Sequence, residues 1–157
     1  MKMNGTIEIA AGPAEVWTLV NDPVSLSACV PGVSDVRQID DHTFEGSVSA
    51  SVGPIDGQFA FRSLITRSSF PDDLGVDVEG VDSVTKSRII AQVTVGLTEP
   101  TPGSTTLRYE AVVTVKGRLS ILGEMVLRAT AGMMIGQVTK CLRSRLEPVP
   151  SGEPTGR

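Results

Sequence analysis

Few side chains in this sequence are suited to bond-making chemistry. There is one histidine, His42, and there are two cysteines, Cys29 and Cys141. His42 stands in an Asp40-Asp41-His42 turn, where a solvated imidazole is the expected state. Cys29 has no local histidine or other base to activate it, and it reads as a small buried hydrophobe. The two thiols are far apart in the chain and form no C-x-x-C redox pair. With a single histidine they are also too few for the usual structural zinc set. Serines and threonines are plentiful, yet no G-x-S-x-G elbow sets one up as a nucleophile. Asp77, Glu79 and Glu110 are the carboxylates that acid–base chemistry would use, but each alternates with apolar neighbours, which predicts an exposed sheet face. Lys140, Arg143 and Arg145 gather near the end of a helical stretch. There they complement the helix dipole or attract an anionic membrane, at about 1 kcal/mol per charge near the surface.

Composition narrows the classes further. The 157 residues suit one domain, and 40% of them are Ala, Val, Ile, Leu, Met, Phe, Trp, Tyr or Cys, as in an ordinary globular chain. A net charge of −4 offers no basic field for nucleic acid. The opening MKMNGTIEIA has too short an apolar segment for a secretory signal. The uncharged stretch Ala129 to Thr139 spans 11 residues, where a membrane span needs about 20. The expectation is a soluble intracellular domain with no metal, no catalytic constellation and no nucleic-acid partner.

Residues 3–9 alternate as a first strand does. Gly12-Pro13-Ala14-Glu15 then opens a short helix, with Pro in its first turn and Glu15 at the positive end of its dipole. Asp22-Pro23 breaks it, a second short helix carries Leu26, Ala28 and Cys29, and Pro31-Gly32 ends that segment. From Val33 to Lys116 the period falls to two. Strands are predicted over 33–39, 43–52, 55–69, 74–82, 84–98 and 105–116, with reversals at Asp40-Asp41-His42, Gly53-Pro54, Pro71-Asp72-Asp73 and Pro100-Thr101-Pro102-Gly103. One long helix is predicted over 119–146, with Leu119, Leu122, Val126, Ala129, Met133 and Gln137 on its inner side and a Glu124–Arg128 pair on the other. Residues 147–157 read as a disordered Pro/Gly-rich tail or linker after a domain of residues 1–146. The fold class is α+β, a curved antiparallel sheet of about seven strands around a long C-terminal helix.

Two features of these elements point to a cavity. Gly123, Gly132 and Gly136 together cost the helix roughly 2–3 kcal/mol relative to alanine. Close approach to the sheet, space kept for a ligand and a helix–helix contact through Gly132-x-x-x-Gly136 are all open as compensation. Met125, Met133 and Met134 on the same helix suit either a plain core or an adaptable binding surface. On the covered face of the sheet Gly46, Ala50, Ser63, Ala91 and Ala111 interleave with Phe44, Phe59, Phe61, Val93, Val113 and Tyr109. With 4% aromatics, bulk to fill such a surface is scarce, so the sheet curves tightly or leaves an apolar void.

The segment Asp22-Pro23, Leu26, Cys29, Pro31-Gly32 resembles the "DP-x-x-L-x-x-C-x-PG" signature of the carbon monoxide dehydrogenase CoxG family. Val52-Gly53-Pro54-Ile55 and Gly117-x-Leu119 with Leu122-Gly123 resemble its later signatures, and Ile7-Glu8-Ile9 to Val16-Trp17 its start. The resemblance covers about residues 1–146. It implies the START-like helix-grip (Bet v 1-like) fold and a non-enzymatic accessory role for a molybdenum CO dehydrogenase at the inner face of the cytoplasmic membrane. Its helix-grip relatives typically hold a lipophilic molecule between long helix and sheet.

The expected guest is a respiratory quinone such as menaquinone, or another lipid, and no cofactor is expected to be bound covalently. A five-carbon isoprene unit gains about 3–4 kcal/mol on leaving water, and a chamber that takes it from the bilayer would serve a soluble redox enzyme. Phe44, Phe59, Phe61, Ala91, Val93, Tyr109, Ala111, Met125, Gly132 and Met133 are the candidate lining, with Tyr109 donating to a ligand carbonyl. The loop Cys29, Val30, Pro31 and Gly32 is the candidate contact with CO dehydrogenase. The alternatives are a ligand-free docking module and a cyclase-type enzyme.

Overall fold

Turn chemistry sets the frame. Gly53, Gly103 and Gly32 all take positive φ (58°, 81° and 80°) where the chain reverses or enters a strand. In the computed structural model, which describes residues 1–148, the elements are β1 (Lys2–Ile9), α1 (Pro13–Val20), α2 (Pro23–Ser27), β2 (Val33–Gln38), β3 (Thr43–Val52), β4 (Ile55–Ser69), β5 (Asp73–Asp82), β6 (Arg88–Thr98) and β7 (Thr105–Lys116). A 3-10 turn (Arg118–Leu122) and α3 (Glu124–Leu146) follow. The tail expectation falls mostly on residues 149–157, outside the described residues.

The seven strands form one curved antiparallel sheet in the order β1-β7-β6-β5-β4-β3-β2. Strands β2 to β7 follow one another by hairpins, and α1 with α2 carries the chain from the β1 edge to the β2 edge. Successive side chains alternate between a concave face toward α3 and a convex face toward water. Asp77, Glu79 and Glu110 lie exposed on the convex face, as the alternation predicts, and His42 is exposed in its turn.

Three expectations need correction. Strand β6 begins at Arg88 rather than 84, because Asp82 holds residues 83–87 in a turn. Its carboxylate accepts from Gln58 N at 3.0 Å, from Thr85 N at 2.8 Å and from the Thr85 hydroxyl. The long helix does not run from 119, because Gly123 at φ 86° separates the 3-10 turn from α3. A break there shifts the helical phase, so extrapolating from Leu119 gives the wrong inner face. Finally, Cys29 is not a free hydrophobe. It lies two residues beyond α2 and forms a disulfide with Cys141, with a Cα–Cα distance of 5.4 Å.

The core is divided. One cluster joins Ile7, Ile9, Val16, Val20, Leu97, Leu107 and Leu142 where α1 and the C-terminal half of α3 cover the sheet. A second joins Val52, Phe59 and Leu119 with Leu122, Val126 and Leu127 at the other end. Of all the side chains on α3, only Leu142 is fully buried. A 23-residue helix spans about 35 Å, so it is fastened near its ends and bridges what lies between.

Candidate functional site

Between the two clusters lies a cavity of about 420 Å³. Sheet strands supply its floor. From β3 and β4 come Phe44, Val48, Ala50, Phe59, Phe61 and Ser63, and from β5 Leu74, Val76, Val78 and Gly80. Its roof is Leu127, Thr130, Ala131 and Met134 of α3, and its side wall Pro23, Leu26, Ser27 and Val30 with Val33 and Val36 of β2.

Local structure explains why this region stays hollow. Phe61 pairs with Gly46 on β3 and with Gly80 on β5, so the ring stands between two residues that add no bulk. The ring folds over Gly46, where a β-carbon would lie 2.8 Å from Phe61 Cε2. At Gly80 a β-carbon would meet nothing closer than 3.8 Å, and that space belongs to the cavity. On β2 the register slips between Ser34 and Arg37, with Asp35 at φ 56°. That bulge turns Val33 and Val36, three apart rather than two, toward the same wall.

Polarity inside is slight. Only Ser27, Ser63 and Thr130 line the cavity with polar side chains. The Ser27 hydroxyl donates to Val24 O at 2.8 Å and that of Thr130 to Val126 O at 3.1 Å, while among the described residues Ser63 has no such bond. The lining contains no acidic, basic, histidine, cysteine or tyrosine side chain. The disulfide lies beside this chamber, since Cys29 follows the wall residues of α2 and Cys141 sits on α3 beyond Met134.

Of the ten residues expected to line a pocket, Phe44, Phe59 and Phe61 do so. Ala91, Val93 and Ala111 share the concave face but fall outside the wall, because the cavity is displaced toward β2–β5. On β7 its wall ends at Val113 and Val115. Tyr109 is turned away as well. It pairs with Gly5, and its ring occupies the notch there so closely that a β-carbon on Gly5 would lie 2.6 Å from Tyr109 Oη. Met125, Gly132 and Met133 lie on the opposite side of α3. Met125 is 85% and Met133 58% exposed, and a β-carbon at Gly132 or Gly136 would touch nothing within 4 Å. Neither close approach nor ligand space therefore explains these two glycines. The inner face is still readable from the sequence, since Leu127, Ala131, Met134, Val138 and Cys141 repeat at steps of three and four once the helix starts after Gly123.

In the candidate docking loop, Val30 faces the cavity, Cys29 is buried in the disulfide and Gly32 is exposed, with Gly32 O accepting from Ser49 N at 2.9 Å. Among the basic residues, Arg143 Nε donates to Glu8 O at 3.0 Å and Arg145 reaches Ser25 O at 3.4 Å, so both tie α3 to its neighbours.

Solved structures share this architecture. A conserved protein from Geobacillus kaustophilus superposes with a TM-score of 0.85 at 22% identity, covering 92% of this chain and 94% of that one. A START superfamily protein from Mycobacterium smegmatis gives 0.64 at 16% identity, covering 93% and 97%. The Zhui aromatase/cyclase from Streptomyces sp. R1128 gives 0.63 at 10%, covering 92% of each. At these identities the likeness establishes the START-like fold. Among curated proteins, one from Haloarcula marismortui described as dCTP deaminase is 35% identical over 83 residues, which is 53% of this chain and 38% of that protein. The chain thus spans well under half of that relative. The family model for the carbon monoxide dehydrogenase protein CoxG matches residues 5–147. With nearly the whole described chain inside that match and the fold agreeing, the protein belongs to the carbon monoxide dehydrogenase CoxG family, which is accessory to the enzyme.

Proposed function

We propose that the chain carries a lipophilic molecule, a respiratory quinone, between the membrane and CO dehydrogenase, and that it performs no catalysis itself. The observation behind this reading is the cavity: about 420 Å³, within the roughly 300–1,000 Å³ of small-molecule sites, and apolar except for three hydroxyls. Each methylene moved from water into such a lining gains about 0.8 kcal/mol, so an isoprenoid tail supplies the affinity. Ser63, whose hydroxyl is uncommitted among the described residues, is the donor for a quinone carbonyl in the role first expected of Tyr109. The absence of titratable side chains from the lining argues against a cyclase-type reaction, which needs groups that move protons. CO dehydrogenase meets the chain at Val30-Pro31-Gly32, where one residue of the loop already touches the cavity.

The test is uptake. The purified chain is incubated with detergent-dispersed menaquinone, separated by gel filtration and extracted for chromatography. About one quinone per chain is expected. Gly80→Leu, which fills the cavity from β5, should reduce uptake at least tenfold while the protein stays folded. No quinone above background in the wild-type fraction would leave only a ligand-free docking module.

A further inference from the structure

The outer side of α3 is chemically unlike the rest of the molecule. Residues 116–148 carry six basic side chains against two acidic ones, Glu124 and Glu147, whereas residues 1–115 carry seven basic against fifteen acidic. A protein of net charge −4 thus presents one cationic edge. At 3.6 residues per turn, Met125, Ala129, Gly132, Gly136, Lys140 and Arg143 fall within a stripe roughly 80° wide, with Met133 at its margin. All are exposed. Just before the helix, Ile121 is 80% exposed and Arg118 lies beside it on the surface. Large apolar side chains at such exposure, flanked by positive charge, are the composition of an interfacial helix.

We infer that this outer face of α3, with Ile121, lies against a bilayer containing anionic lipid. The inference rests on the carrier reading above and adds which surface the chain uses. Charge complementarity decides between lipid and other occupants. An acidic membrane surface attracts the 116–148 edge and repels the acidic remainder, so one orientation is selected. In that orientation Ile121, Met125 and Met133 enter the headgroup boundary, while Leu127, Ala131 and Met134 on the other side of the same helix roof the cavity. A displacement of this one element would connect chamber and lipid.

The experiment is co-sedimentation of the ligand-free chain with vesicles of phosphatidylcholine alone or mixed with phosphatidylglycerol, at low and raised salt. Binding is expected only to the mixed vesicles and should weaken with salt. Replacing Arg118 and Lys140 together by glutamine should weaken it about thirtyfold, since two charges at about 1 kcal/mol each are removed. Neither side chain makes a hydrogen bond or ion pair among the described residues. Met125→Glu with Met133→Glu should abolish vesicle binding, whereas Leu64→Glu, an exposed change on the convex face, should leave it intact. Quinone uptake from detergent by each variant is measured in parallel. Uptake retained with vesicle binding lost supports the inference. Wild-type protein that ignores mixed vesicles, or variants that bind them like wild type, would overturn it while leaving the cavity reading standing. Variants impaired only in binding purified CO dehydrogenase would overturn it too, making α3 a protein-docking face.

Discussion

Phe61 and its two glycine neighbours show how much one side chain decides. Gly46 and Gly80 flank the same ring, yet they should respond oppositely to a methyl group. Gly46→Ala drives a β-carbon to 2.8 Å from the ring and 3.2 Å from Ser34 O, so it should cost about 1–3 kcal/mol in urea unfolding. Gly80→Ala meets only ordinary contacts, and it should be neutral or stabilise by up to about 1 kcal/mol because a strand glycine is entropically costly. The cysteines behave differently again. Replacing Cys29 and Cys141 together by alanine should cost about 2–4 kcal/mol, through lost restraint on the unfolded chain. Reductant should lower the wild-type protein to the same level in the same assay. Nothing in their separation along the sequence reveals this pair, since pairing depends on where α2 and α3 meet. The aromatic lining is legible because Phe44, Phe59 and Phe61 alternate on two adjacent strands. Tyr109 misleads because the glycine it fills, Gly5, lies about a hundred residues earlier.

At the level of elements, the strands are readable from period and turn residues, and their order follows from hairpin lengths. Helix α3 is readable as a helix but not in phase, since Gly123 interrupts it at a position the hydrophobic pattern alone treats as continuous. With that glycine outside, Gly132 and Gly136 remain as two helix-interior glycines facing open space. Gly132→Ala and Gly136→Ala should each stabilise the fold by about 0.5–1 kcal/mol, read as a raised urea midpoint. The β5–β6 turn answers to pH. Donated hydrogen bonds from the Thr85 hydroxyl, Thr85 N and Gln58 N lower the Asp82 carboxyl from its ordinary 3.8 to about 2. A folded-state value below the unfolded one means that the native state holds the proton less well. The stabilisation is therefore complete above about pH 4 and is lost as the pH falls through 2. Asp82→Asn should be less stable at neutral pH and show a shallower loss between pH 4 and 2, measured by denaturant titration across that range. Because Ser87 Oγ accepts from Leu119 N at 3.1 Å, weakening this turn should also loosen the start of the 3-10 segment.

Across the whole molecule, the separation of the hydrophobic core into two clusters matters more than any single contact. Leu142 and the disulfide secure one end of α3, and Leu122 with Val126 secures the other. Between them the helix rests on few side chains. Amides of residues 127–134 should therefore exchange with deuterium faster than those of 138–146, and a bound quinone should slow the former while sparing the latter. Equal protection along the helix would mean a continuous core.

A helix held at both extremities behaves like a bowstring: its midpoint can lift while its moorings stay put. Loading and unloading a greasy passenger then needs neither broken strand pairing nor an unlatched terminus. The vacant form keeps its shape in readiness, and turnover of cargo is decoupled from the survival of the fold.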